Sequence, residues 1–235
     1  MNFSGAQRVV DHTVDMRADT PVGKDPDRYS ATLRLYHRIL WSKPLPNGEP
    51  LLSPGTTDFD LKYAAKGAEW ALAPDGMNNS YRHWKRLRTL TDAVPKTKDP
   101  MNDCLSNTIG NSIIFPSHRI NGGSTINGAR GLHHLIRDRL DLSLECIRRQ
   151  YRGEANPLAE TLANYWSFFE KFGSFLEYAR FFLLDDLIDE HGKIRFFLPF
   201  SGFSEPAVPK TVEEYREYYH GILSAISSRN SRIAS

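Results

Sequence analysis

Long apolar runs are what this sequence most plainly lacks. Nowhere do 18 apolar residues follow one another, and the opening MNFSGAQRVVDHTVDMRADT holds no apolar core of signal-peptide length. The expectation is a cytoplasmic protein without membrane association. Cysteine is nearly as scarce. Cys104 and Cys146 lie far apart with no CxxC partner, so they read as small buried hydrophobes in a reducing compartment rather than a disulfide framework. Charge of one sign is missing too: a net +2 does not by itself announce a nucleic-acid binder. There is no G-x-G-x-x-G and no G-x-S-x-G elbow, and no His, Cys, Asp or Glu spacing matches a zinc site. No metal is expected, and no cofactor is implied. His133-His134 is the one histidine pair, and on a helix such neighbours diverge by about 100°.

What is present is ordinary globular material, 40% hydrophobic, 25% charged and 11% aromatic, enough at 235 residues for one domain without a staple. Residues 1–28 are polar and breaker-rich and read as an N-terminal arm, and 29–235 as a single α+β domain. Its expected architecture is a small mixed sheet followed by a mainly helical C-terminal half. Ser30 caps a helix carrying Leu33, Tyr36, Leu40 and Trp41 at helical spacing, ended by SKPLPNG. Phe59, Leu61 and Tyr63 alternate with Asp60 and Lys62, the period of a strand, and Glu69–Leu72 pairs with it across Lys66-Gly67. SYRHWKRLRTLTDAV reads as a short basic helix closed by Pro95, and PKTKDPMND as a linker. Ile109–Phe115 and Arg195–Pro199 are expected to be strands of one sheet, covered by the helices after residue 126. Ser174 with Glu177 and Thr211 with Glu214 are capping boxes, and Asn156-Pro157 and Gly173 bound a further helix.

Residues 118–152 are the segment that carries chemistry. The loop Asn121–Gly131 holds four glycines, Asn121, Asn127, Ser124 and Thr125, and no acidic residue. Such a loop before a helix suits an anion-binding nest. Arg119 and Arg130 bracket it with planar forks that grip phosphate or carboxylate. Gly123 and Gly128 have phosphate-loop spacing, but Ala129-Arg130 stands where Lys-Ser/Thr is needed, so the loop is no Walker motif. Beyond it, Asp138, Asp141 and Glu145 alternate with Arg137, Arg139, Arg148, Arg149 and Arg152. The plainer reading is an amphipathic core helix, with Leu140, Leu144, Ile147 and Tyr151 inward and Glu145 paired to Arg148 and Arg149.

Five segments carry a family likeness. LWSKPLPNG (40–48), STINGARG (124–131), DRLDLSLECIRRQY (138–151), FFLLDDLI (181–188) and FFLPF (196–200) resemble a bacterial family described only as a domain of unknown function. The resemblance spans most of residues 28–230. In that family a Gln often stands where this chain has Gly128, and a Phe where it has Leu140. It implies one domain, a bacterial origin and no membrane anchor, and contributes no reaction.

Two functional expectations follow. In the first, the chain is an enzyme acting on a nucleotide or nucleic acid. Asn121, Ser124, Thr125, Asn127 and Gly128 hold phosphate, Arg119 and Arg130 balance charge, and Asp138, Asp141 and Glu145 supply the general acid or base. In the second it is a non-catalytic module for nucleic acid or an acidic partner. There Arg82, Lys85, Arg86 and Arg88, interleaved with Tyr81, His83 and Trp84, meet phosphates and bases. Asp185, Asp186, Asp189 and Glu190 oppose a helix dipole, which suits either a cation or a solvated helix end.

Overall fold

The computed structural model describes residues 9–57, 60–77, 80–94 and 105–235. Phe59, Pro95, Cys104 and the expected linker at 95–103 lie outside them. Ser30 does cap its helix: its Oγ accepts from Leu33 N at 3.0 Å and opens α2 (Ala31–Trp41). A single turn precedes it, α1 (Pro26–Tyr29), whose N-cap Asp25 accepts from Asp27 N. Proline at the first helical position costs α1 nothing, since that N–H has no partner in any helix. Upstream, Val10 and Met16 are buried against Leu33, Tyr36 and Ile109, and Met16 N donates to Asn107 O at 2.9 Å. This packing ties the segment ahead of α1 to α2.

The sheet has three strands, β1 (Leu61–Ala65), β2 (Ala68–Gly76) and β3 (Ser112–Pro116), in the order β1-β2-β3. The hairpin turn falls at Lys66-Gly67 as expected, both in the left-handed region. β2 runs past the expected Leu72 because its second half pairs with β3, Asp75 opposite Ile113. Pro74 is tolerated there because β1 pairs with β2 only as far as Leu72, leaving the Pro74 nitrogen side unpartnered. Both pairings are antiparallel, so the sheet is not mixed.

KIRFFLPF is not a strand of this sheet. Its backbone is held by scattered bonds instead: Arg195 N donates to Leu187 O at 2.9 Å, Phe197 N to Asp141 Oδ2 at 3.0 Å, and Arg139 donates to Ala207 O just beyond. Only an isolated bridge, Ile188 to Ile194, has β character. The expected strand at Ile109–Phe115 also begins later, since Ile109–Asn111 is a 3-10 turn. Gly110 explains the turn. A Cβ there would sit 2.3 Å from Asn230 Oδ1 and 2.7 Å from Ile226 O, so only glycine lets the C-terminal helix come this close.

The C-terminal half is helical: α4 (Ile126–Leu132), α5 (Leu140–Tyr151), α6 (Ala159–Asn164), α7 (Trp166–Phe169), α8 (Phe175–Phe181) and α9 (Val212–Ala234). Ser174 and Thr211 accept from Glu177 N and Glu214 N as capping residues do. Gly173, at φ 73°, ends the turn after α7. Phe172 meets Tyr178, Phe181 and Phe182 with ring centroids 5.2–5.4 Å apart. Each such pair is worth about 0.5–1.5 kcal/mol beyond the area it buries. The basic helix is shorter than expected, a 3-10 turn at Lys85–Leu87 followed by α3 (Arg88–Ala93).

Candidate functional site

The glycine loop folds as a capped connection. Asn121 and Gly122, at φ 49° and 73°, turn the chain leftward, and Gly123 N donates to Ile120 O at 2.9 Å. Thr125 Oγ accepts from Gly128 N at 3.1 Å and Thr125 O from Ala129 N at 2.8 Å. Three of the loop's N–H groups are therefore engaged within it. Asn121, Ser124 and Arg119 are exposed, and α4 is only seven residues long.

The two bracketing arginines part company. Arg130 is fully buried and uses every nitrogen: Nη1 on the Asp75 carboxylate and on Asp138 Oδ1 at 3.1 Å, Nη2 on Asp138 O at 3.0 Å, and Nε on Ser143 Oγ at 3.1 Å. The Phe115 ring lies 5.7 Å from its guanidinium. Asp138 reaches this place through backbone strain, because Arg137 and Asp138 take φ of 54° and 63° in succession. Left-handed non-glycine residues cost about 1–3 kcal/mol each. Asp138 N donating to Arg130 O, and Arg137 stacked 4.0 Å over Trp84, hold the turn.

Three carboxyls lie in the field of this one guanidinium. Burial raises Asp27 to about 7, helped by the charges of Asp75 and Asp25 and opposed by the Gly76 N–H and Arg130. Burial also raises Asp138, to about 6, with Asp75 adding to it and Arg130 opposing. Asp75 is raised by burial against the pull of the Arg130 pair. Asp25, Asp27 and Gly76 line a cavity of about 110 Å³ together with Asn107, Asn111 and Ser112. That is below the 300 Å³ or more of a drug-sized ligand site, so only part of a ligand fits inside. Asn111 Oδ1 on its wall is inaccessible to solvent and has no hydrogen-bond partner. The same is true of Asn127 Oδ1, whose amide nitrogen donates to Pro74 O at 3.4 Å, beside Asp75.

The remaining acids of the segment face elsewhere. Asp141 is fully buried, forked by Arg139 and holding Phe197 N. Burial works to raise Glu145, but the hydrogen bonds and charges of Arg148 and Arg149 together hold it below the usual range. On the basic stretch, Arg82 donates to Thr91 O and Val94 O across the turn, while Lys85 and Arg86 are exposed. Asp186 accepts from both Nε and Nη2 of Arg232, and Asp189 closes the 189–193 turn, so both are engaged within the protein. His133 and His134 fall beyond α4, their rings stacked 5.0 Å apart rather than splayed by helical geometry. Among the described residues, no three His, Cys, Asp or Glu side chains come together as a metal site.

Asp27 and Asp75 were missed by sequence reasoning. Asp27 sits in VGKDPDR, where proline and glycine signal irregularity, and Asp75 in Pro-Asp-Gly, the composition of a turn. Nothing local marks either, since the fold brings them to Arg130 from 103 and 55 positions away. Compared with known proteins, residues 10–233 match the model of a family described as a "Family of unknown function (DUF6994)". No curated protein and no solved structure matches the chain.

Proposed function

The chain belongs to this family of unknown function, and since membership carries no reaction, we propose one from the site. The protein is an enzyme that does general acid–base chemistry on part of a nucleotide or nucleic acid, at the carboxyls gathered around Arg130. The observation that carries this is Asp27 on the wall of a cavity, next to a carboxylate that an arginine ties down. Two carboxyls whose surroundings hold them differently are what acid–base catalysis requires. Asp27 serves as the proton donor, and Arg130 holds Asp75 and Asp138 in place. Arg119, Asn121 and Ser124, exposed at the rim of the loop, remain available for phosphate outside the cavity.

The test is turnover of ribonucleosides, mononucleotides and short RNA across pH 4–9, with products resolved by mass. A rate that falls as pH rises through about 7 and is lost in Asp27→Asn supports the reading. Undiminished turnover in Asp27→Asn overturns it. Exposed Lys85 and Arg86 favour a second reading, a basic face that docks on a nucleic acid without catalysis. The free, buried Cys146 suits a reducing cytoplasmic setting. No helix among the described residues is long and apolar enough to cross a membrane.

A further inference from the structure

Ser112, at the start of β3, lines the same cavity as Asp27, and its Oγ lies 2.9 Å from His37 Nε2. His37 is buried on α2, and its other ring nitrogen, Nδ1, accepts from Trp41 Nε1 at 2.8 Å. An indole N–H can only donate, so Nδ1 presents its lone pair and carries no hydrogen. Burial, with the Arg229 charge adding to it, pushes His37 down to about 3, so the ring is neutral and keeps a single proton. That proton sits on Nε2. His37 therefore donates to Ser112 Oγ and is not a base for it. The direction of the bonds is fixed from Trp41 through His37 to Ser112, and the hydroxyl hydrogen of Ser112 is left to find an acceptor. Among the described residues, His37 is the hydrogen-bond partner of Ser112 Oγ, and no second one stands beside it. Gly76 lies opposite Ser112 in the β2–β3 ladder, so β2 sets no side chain beside the hydroxyl.

We propose, resting on the acid–base reading above, that the Ser112 hydroxyl donates to a carbonyl oxygen of a nucleobase entering this cavity. A carbonyl oxygen offers two lone pairs and brings no hydrogen of its own, which suits a cavity lined by the Ser112 hydroxyl and the proton donor Asp27. Phosphate also accepts, but Asp25 and Asp27 line the space, and a phosphate dianion would meet their carboxyls. A sugar hydroxyl accepts too, yet brings a hydrogen that needs an acceptor in turn. Arg229 donates from Nη1 to Ser112 O at 2.6 Å, and its other bonds run to backbone carbonyls and Met77 Sδ rather than to a carboxylate. Its charge beside Ser112 favours an oxygen that gains negative charge as the reaction proceeds. The hydroxyl stays a donor and forms no bond to the substrate, because the imidazole that would have to take its proton is itself donating. His37 and Trp41 are positioning residues.

Two readouts test this. The first needs no ligand: the nitrogen NMR signals of the His37 ring should show a bare Nδ1 and a protonated Nε2 throughout pH 5–9. A proton on Nδ1 would make His37 a base for Ser112 and overturn the assignment. The second is binding of uracil, ribose and inorganic phosphate, each alone, followed through the amide signals of Gly76 and Ser112. Uracil should shift both signals, and ribose and phosphate neither. Ser112→Ala should weaken uracil about tenfold, while Ser112→Thr, which keeps the hydroxyl, should bind within about twofold of the wild type. Should the alanine variant melt too low to measure, Ser112→Cys, of similar volume and a weaker donor, takes its place. Shifts from ribose or phosphate alone would give the cavity to another part of the nucleotide and refute the carbonyl. Uracil binding left intact by the alanine change would refute the role of the hydroxyl, and Asp27-dependent turnover would then keep the acid–base reading without it. Uracil binding lost in the alanine variant, with no nucleotide turned over by the wild type, would keep the Ser112 site and sink the acid–base reading. If none of the three probes shifts either signal, the proposal fails whatever the turnover.

Discussion

At the scale of single residues, Arg130 matters most, because two carboxylates depend on it. Removing one partner of a buried ion pair costs roughly 3–5 kcal/mol. Arg130→Ala should therefore lower the urea midpoint severely, where an exposed anion-site arginine would leave it nearly unchanged. Arg119→Ala, at the other end of the loop, should leave the midpoint where it is. Asp27 sets a pH dependence of its own. Its folded-state value, about 7, lies above the roughly 4 of an unfolded aspartate, so between those values the folded protein holds more protons. The stability Asp27 contributes is then complete below pH 4 and lost as pH rises through 7. Thermal melts should record that decline, shared in part by Asp138, and Asp27→Asn should flatten it. A profile that rises over the same window in the wild type, with no change in the variant, would show that Asp27 is not held protonated.

At the scale of elements, close approaches decide where the chain goes. The 3-10 turn at Ile109–Asn111 and helix α9 meet at Gly110, whose N–H donates to Asn230 Oδ1 at 2.8 Å. A methyl group there runs into the α9 backbone, and overpacking of this kind costs about 1–3 kcal/mol. Gly110→Ala should lose that much in chemical denaturation, while Gly122→Asn, at an open left-handed position, should lose almost nothing. Arg139 and Asp141 act in the same way on the FFLPF segment. In Asp141→Asn the Phe197 amide should lose its hydrogen-exchange protection, and the 195–208 segment should open before the sheet does. Retained protection at Phe197 would mean that packing alone holds the segment. The run of Phe and Leu suggested a strand there. What the pattern could not show was a buried carboxylate 56 positions away taking the backbone donor that a ladder would have used.

At the scale of the whole molecule, much of the arginine-rich segment's charge is paired rather than free. Arg130 and Arg139 are buried in pairs, and Arg148 and Arg149 both close on Glu145. Any polynucleotide affinity should accordingly depend on the exposed cations. Replacing Lys85 and Arg86 together by alanine should reduce the log–log salt slope by about 1.8, at about 0.9 per phosphate, whereas alanine at Arg148 and Arg149 should leave it unaltered. Equal effects of the two double variants would return the segment to the surface. The sequence by itself determined the elements whose signals are local. These are the caps at Ser30, Ser174 and Thr211, the hairpin at Lys66-Gly67, the burial of the apolar faces, and the pairing of Glu145 with arginines three and four positions away. It also grouped Arg130 and Asp138, which pair, with Arg119 and Glu145, which lie apart from them. Tertiary structure alone decided the rest. It turned Arg130 away from the glycine loop and toward Asp75, and set Asp27 against the end of β2. The reason is physical: a helix cap or a turn is settled by neighbours within four residues, whereas a carboxyl's charge state depends on the burial and the distant charges that only the folded chain assembles.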